Sequence, residues 1–146
     1  GVPHQDEKTS TGQLPGGDCE EDLSPIVTQL KAQGLSPYEA ERAARLYGSE
    51  ATEVFSTEPS LEAEVEFAVT HEGACTLDDF WTRRTIRAHF DHDGGVEWLE
   101  PAAAKMAELL GWSSAETEKQ IHECISIRES EMQLVHHQGK QRVLDC

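Results

Sequence analysis

Residues 61–87 read LEAEVEFAVTHEGACTLDDFWTRRTIR, and this stretch decides the fold. Leu61, Val65 and Ala68 recur at helical spacing, which predicts an amphipathic helix with one apolar side. Residues 64–67 also alternate as a strand would. The acidic helix formers, and the lack of a pairing strand elsewhere in the sequence, favour the helix.

A second helix is predicted to begin inside the same stretch. The Thr76 hydroxyl and the Asp79 carboxylate stand three residues apart, so each can accept a hydrogen bond from the other's backbone amide as a capping box. This predicts a helix from Leu77 to about Arg87. Asp79 also lies four residues before Arg83, the spacing of a helical surface ion pair worth roughly 0.3–0.5 kcal/mol.

The stretch ends in an arginine cluster, Arg83, Arg84 and Arg87, which holds three of the 12 basic residues. Such clustering suggests a site for a phosphate or a lipid head group. Ion pairing is the preferred interpretation, because Asp79 precedes Arg83 by one turn and Glu72 can reach another arginine across the turn. An interface with another domain is the second alternative.

Helix start and stop residues punctuate the rest of the chain, with Ser or Ser-Pro at the starts and Gly at several ends. The fold class predicted is all-α, a compact bundle of about six to seven short helices. Besides the helices in 61–87, the sequence predicts helices from the Ser24 cap to about residue 33, from Ser36 to Tyr47, from Ser49 to Phe55, from Trp98 to Gly111, and from Ser113 to His136.

The two ends of the chain differ from this pattern. Residues 1–22 are rich in Gly, Pro, Ser and Thr and lack an apolar period, so they are predicted to be a linker or arm. Residues 136–146 are polar without a helical period and are predicted to be a tail. One helical domain is therefore expected over 23–135.

Composition limits the function classes. The net charge of −16 repels phosphate backbones and argues against a nucleic-acid partner. A helix-turn-helix over 24–47 would have only Arg42 and Arg45 on its second helix, beside two glutamates. No apolar run approaches the roughly 18 residues of a membrane span. A protein-binding helical domain fits this composition.

No metal or catalytic residue is predicted. The four cysteines lie far apart without a C-x-x-C pair, which suits reduced thiols better than disulfides or zinc. The short-range His and Cys pairs supply two ligands each, whereas a closed zinc site needs four. The loop that begins at Asp91 fails as a calcium site, because Val96 and Ala102 occupy its sixth and twelfth positions. The carboxylates are spread along helix faces, and no nucleophile motif is present.

A flavin site within this chain is also not predicted. None of the 11 glycines forms the G-x-G-x-x-G turn between strand and helix that holds a dinucleotide pyrophosphate. The pairs at 16–17 and 94–95 lack a third glycine at the required spacing and do not follow an apolar strand. The sequence therefore predicts no dinucleotide-binding fold within this chain.

One ordered set of residues resembles a known family. The set is Glu72, Thr76, Asp79, Arg83, Arg84 and Thr85, flanked by 14–18, 46–49 and 106–112. It resembles the C-terminal helical domain of FAD-dependent glycerol-3-phosphate dehydrogenases and of the related glycerophosphate oxidases. These six residues are the candidates for organising the helices or an interface.

The resemblance implies a partner and a reaction for the whole polypeptide. An N-terminal flavin domain would bind FAD and oxidise sn-glycerol 3-phosphate to dihydroxyacetone phosphate, with quinone or oxygen as acceptor. It also implies a cytoplasmic enzyme, with peripheral attachment to the inner face of the cytoplasmic membrane as one alternative, and leaves the oligomeric state open. An independent acidic helical adaptor that binds another protein is the alternative function.

Overall fold

The computed structural model describes residues 22–57 and 59–144, with side chains described up to residue 132. This part of the chain is helical and contains no β-strand, which confirms the predicted all-α fold for the described residues. Apart from Asp22, the predicted arm at 1–22 lies outside them. The seven α-helices described are α1 (Ser24–Ala32), α2 (Pro37–Tyr47), α3 (Ala51–Val54), α4 (Leu61–Thr70), α5 (Arg87–Phe90), α6 (Leu99–Leu110) and α7 (Ser114–Leu144).

The chain divides into two compact units. The first ends at Pro59 and the second begins at Ser60. In the first unit α1 packs against α2 and α3. Four of its nine buried hydrophobic residues are alanines, which allow the helices to approach closely. The buried residues of this unit are Leu30, Leu35, Ala40, Ala43, Ala44, Tyr47, Ala51, Val54 and Phe55. The prediction that one helical domain covers 23–135 stays a prediction.

The helix ends in the first unit follow local hydrogen bonds. In α2 the Ser36 hydroxyl accepts from the Glu39 amide at 3.2 Å, as its capping position predicts. The prediction that Ser24 caps α1 is wrong. Ser24 is the first helical residue, and its amide donates to the Asp22 carboxylate at 2.9 Å. An aspartate two residues upstream thus replaces the serine hydroxyl as acceptor.

The second unit is built on α4, α6 and the first half of α7. The predicted helix over the alternating residues 64–67 is confirmed, and the Ser60 hydroxyl accepts from the Ala63 amide at its start. These helices enclose one apolar core, which includes Phe80 and Trp81 from the segment between α4 and α5. The core residues are Val65, Ala68, Ala74, Leu77, Phe80, Trp81, Leu99, Ala102, Ala103, Met106 and Cys124.

The last helix is longer than its apolar pattern predicts. The Ser113 hydroxyl caps it by accepting from the Glu116 amide at 3.2 Å, as expected. The prediction that the helix ends near His136 is wrong, because α7 continues to Leu144. A helix can extend without an apolar stripe when its residues, here including Gln, Lys and Arg, have good helix propensity. Of the helices described, none has the length and apolar character needed to span a membrane.

Candidate functional site

The six candidate residues lie in the second unit, where a capping box starts the segment after α4. The Thr76 hydroxyl accepts from the Asp79 amide, and the Asp79 carboxylate accepts from the Thr76 amide, both at 3.1 Å. The Asp79 carboxylate also accepts from the Cys75 amide at 3.3 Å. Gln120 of α7 adds an acceptor for the Leu77 amide at 3.0 Å. The predicted capping box is confirmed.

The charge of Asp79 is favoured by these contacts. Burial by itself raises the pKa of the Asp79 carboxyl. Hydrogen bonds from the Thr76 hydroxyl and from the Cys75 and Thr76 amides outweigh that effect, with help from the Arg83 charge. The net result is a pKa below the ordinary value of 3.8, so the carboxylate is ionised at neutral pH.

The helix that follows the cap is a π-helix, Asp79–Arg84, where an α-helix was expected up to about Arg87. The fully buried Thr85 explains its end. Both the amide and the hydroxyl of Thr85 donate to the Phe80 carbonyl, each at 2.9 Å, and this i to i+5 bond closes the wider turn. Ile86 then takes a left-handed conformation with φ of 52° and redirects the chain into α5.

Two of the arginines are held by groups on or near their own helix. Arg83 bonds the carboxylates of Asp78 at 2.6 Å and Asp79 at 2.8 Å, which confirms the expected ion pair with Asp79 and adds a second. Its side chain is 55% exposed. Arg84 donates to the Glu72 main-chain carbonyl at 3.1 Å. In this contact across the turn, Glu72 uses its backbone oxygen. These contacts favour ion pairing over the phosphate-site hypothesis.

Arg87 occupies a different environment from the other two arginines. Its side chain is 4% exposed and bonds Glu64 of α4 at 2.5 Å and Asp91 at 2.8 Å. The guanidinium lies 5.1 Å from the centre of the Trp98 ring. The partner Glu64 is itself 1% exposed. Arg87 is therefore the buried member of the cluster, joining α4 to the chain after the π-helix.

Arg87 belongs to the predicted arginine cluster but is not one of the six candidates. A signal for it does exist in α4. Glu64 lies three residues after Leu61 and four before Ala68, so a carboxylate interrupts the apolar face of the helix. A buried carboxylate requires a cationic partner, and the nearby arginine cluster supplies one.

The chain from Arg87 to Trp98, called the 87–98 segment below, is fixed at several points. Trp81 donates from its indole nitrogen to the Gly94 carbonyl at 2.7 Å. A Cβ at Gly94 would overlap the Arg128 guanidinium of α7, and one at Gly95 would meet the Cβ of Arg87 at 3.3 Å. Asp93, Gly94 and Gly95 are all left-handed, and they interrupt the 3-10 turn His92–Trp98 at the predicted loop.

The packing around Gly94 and Gly95 shows whether this glycine pair has room for the pyrophosphate of a flavin dinucleotide. A dinucleotide fold needs glycine backbone open to a pyrophosphate at the start of a helix. At Gly94 and Gly95 the equivalent space is filled by Arg128, Arg87 and Asp91. This glycine pair therefore does not fit a flavin pyrophosphate.

The remaining candidate chemistry is limited. Burial, followed by the charges of Asp78 and Glu123, raises the pKa of the Cys124 thiol to about 12, which makes it a poor nucleophile. Among the described side chains, no group of three or more His, Cys, Asp or Glu is arranged to hold a metal ion. A surface groove of about 470 Å³ in the first unit has Lys31, Arg45, Asp22 and Glu41 on its walls. It contains none of the six candidates.

Comparison with known proteins identifies the family. The family model for the C-terminal domain of alpha-glycerophosphate oxidase matches residues 7–117. Alpha-glycerophosphate oxidase of Streptococcus pyogenes is 28% identical over 124 residues, which cover 78% of this chain and 20% of the oxidase. Glycerol-3-phosphate dehydrogenase 2 of Mycobacterium bovis is 29% identical over 115 residues, covering 68% of this chain and 20% of that protein.

A third relative matches over a shorter stretch of the chain. The probable mitochondrial glycerol-3-phosphate dehydrogenase of Dictyostelium discoideum is 38% identical over 63 residues, covering 43% of this chain and 10% of that protein. The chain thus spans about a fifth of the length of the Streptococcus and Mycobacterium relatives. Since one family model matches well over half of its residues, the chain belongs to the family of the C-terminal domain of alpha-glycerophosphate oxidase.

Proposed function

We propose that this chain is the non-catalytic C-terminal domain of an FAD-dependent glycerol-3-phosphate dehydrogenase or oxidase. The observation that carries the proposal is the match of residues 7–117 to the C-terminal domain of alpha-glycerophosphate oxidase. A relative named as an oxidase matches 78% of this chain, and one named as a dehydrogenase matches 68% of it. The domain would pack on and stabilise the part of the polypeptide that binds flavin and substrate.

The site geometry supports a structural role for the six candidates. Asp79 and Thr76 cap the π-helix, Arg83 and Arg84 bond acids and a carbonyl around it, and Thr85 closes its last turn. These contacts hold the turn and the π-helix in place, through backbone groups in every case except the Arg83 ion pairs. FAD in this proposal belongs to the preceding domain.

The proposed reaction of the whole polypeptide is oxidation of sn-glycerol 3-phosphate to dihydroxyacetone phosphate, with electrons passed to a quinone. Oxygen is the acceptor if the polypeptide is an oxidase. The proposed location is the cytoplasm, with peripheral attachment to the inner face of the cytoplasmic membrane. A nucleic-acid role finds little support, because Arg42 on the second helix is paired with Glu39 at 2.9 Å.

The test uses the native full-length gene product and a version that lacks these 146 residues. We expect a flavin absorbance spectrum and glycerol-3-phosphate-dependent dye reduction in the intact protein, and a loss of activity or of bound flavin on deletion. A colourless and inactive full-length product would overturn the proposal and favour the adaptor function. Full activity of the deletion variant would contradict the stabilising role.

A further inference from the structure

The 87–98 segment displays the most exposed large hydrophobic side chain described in this chain. Phe90 is 74% exposed at the end of α5, and Val96 on the same segment is 37% exposed. Between them the chain turns at 91–94, where the Gly94 amide donates to the Asp91 carbonyl at 2.9 Å. An exposed aromatic side chain with a second exposed apolar side chain on the same short segment is a candidate anchor for a protein interface.

The segment that carries Phe90 is rigid. Arg87 and Asp91, the residues three before and one after Phe90, form an ion pair in which both side chains are at most 9% exposed. Trp81 and Arg128 fix Gly94 from two other elements. A backbone held in this way loses little conformational freedom on binding, so the entropy cost of docking is mainly that of ordering the Phe90 side chain.

The length of the relatives indicates what covers this surface. About four-fifths of each of the Streptococcus and Mycobacterium proteins lies outside the part that matches this chain, and the matched family is a C-terminal domain. The exposed residues beside Phe90 and Val96 are histidines and acids, His89, His92, Asp93 and Glu97. A partner surface would therefore present an apolar recess with a basic or polar rim.

We propose that Phe90 and Val96 of the 87–98 segment dock into an apolar recess on the domain that precedes this one in the same polypeptide. The inference rests on the proposed function only for the existence of that preceding domain. It assigns the contact with the preceding domain to one segment. The six candidate residues would support that segment indirectly, by holding the π-helix that leads into α5.

The experiment is carbene footprinting with mass spectrometry on the full-length gene product, and Ile127 is the internal control. Ile127 lies on α7 in the same unit and is 43% exposed, less than Phe90. If Phe90 is a desolvated anchor, its labelling in the full-length protein falls below that of Ile127, although Phe90 is the more exposed of the two in this domain. Phe90→Asp should expose Val96 to labelling, whereas the matched variant Ile127→Asp should leave Val96 protected.

Three results would overturn the docking proposal. The first is labelling of Phe90 above that of Ile127 in the full-length protein. The second is protection of Val96 that survives Phe90→Asp. The third is protection that disappears on dilution together with a halving of the mass in light scattering, which would assign the surface to a second copy of the chain.

Flavin absorbance and glycerol-3-phosphate oxidation are measured on the same preparation, so the two proposals fail separately. An inactive, flavin-free product with a protected Phe90 overturns the proposed function and retains the docking. An active flavoprotein with a freely labelled Phe90 retains the function and overturns the docking.

Discussion

Arg87 joins α4 to the 87–98 segment inside the second unit. It is the only arginine described here whose side chain is less than 9% exposed, and its guanidinium bonds two carboxylates while lying beside Trp98. Glu64 is equally removed from water. A buried ion pair is tolerated because each charge satisfies the other, so the loss of one partner leaves an uncompensated charge in the interior.

Arg87→Met is therefore expected to lower the free energy of unfolding by about 3–5 kcal/mol. The matched control is Arg83→Met, which removes the exposed pairs with Asp78 and Asp79 and should cost less than about 1 kcal/mol. Urea denaturation followed by circular dichroism measures both. Equal midpoints for the two variants would contradict the interior role of Arg87.

Asp79 gives the fold a dependence on acid. Its folded-state pKa lies below 3.8, so its contribution to stability is fully present above the unfolded pKa and is lost as the pH falls through the lower folded value. Asp79→Asn should be less stable at neutral pH but should lose less stability between about pH 5 and pH 2. Urea midpoints across this range test the prediction, which is wrong if the two curves run parallel.

At the scale of elements, the left-handed residues determine how the helices connect. Gly73, after the end of α4, has φ of 69°, and no atom lies within 4 Å of where a Cβ would stand. Gly94 has nearly the same φ, 66°, but its Cβ position is filled by Arg128 and lies 3.1 Å from the Ala88 carbonyl. A comparison of Gly73 with Gly94 therefore distinguishes the energetic cost of the left-handed backbone from the cost of steric overlap.

Gly73→Ala should cost about 1–2 kcal/mol through its backbone conformation alone. Gly94→Ala carries the same strain and must also displace Arg128, so we expect a further loss of about 1–3 kcal/mol. Thermal or urea unfolding of the two variants gives the difference directly. A Gly94→Ala variant no less stable than Gly73→Ala would show that Arg128 moves aside freely.

The sequence predicted the elements whose ends are local. The capped helix α2 has the predicted bounds, and α6 ends at Gly111 as expected, because serine caps and terminal glycines act on neighbouring backbone. The π-helix and the left-handed Ile86 were not predicted. They depend on the burial of Thr85 and on the pairing of Arg87 with Glu64, which arise only once α4 has packed.

For the candidate site the sequence identified the cap and the Asp79 ion pair but missed the buried pair of Arg87. The extension of α7 beyond His136 was also not predicted, because helical periodicity reports only the part of a helix that faces a core. The all-α fold and the family resemblance did not depend on these details. Side-chain partners distant in sequence are the part that local patterns cannot supply.

At the scale of the whole molecule, the reactivity of two cysteines reports whether the second unit is closed. Cys75 is exposed, whereas Cys124 is 1% exposed in the core and burial raises its pKa to about 12. Under native conditions at mildly alkaline pH, iodoacetamide should modify Cys75 rapidly and Cys124 only when the unit unfolds. Peptide mass spectrometry measures both rates, and equal native rates would contradict a closed core.

The bond from the Leu77 amide to Gln120 has a consequence for the order in which the protein is made. The two residues are 43 positions apart, and Gln120 follows Leu77 in the chain. At a synthesis rate of about 5–20 residues per second, the interval between the translation of Leu77 and that of Gln120 is roughly 2–9 seconds. Proteolysis of nascent chains stalled before and after α7 should show protection of the Thr76–Asp79 turn only in the longer chain, and protection in the shorter chain would contradict this order. The ribosome therefore releases a closed second unit only after the start of α7 has emerged.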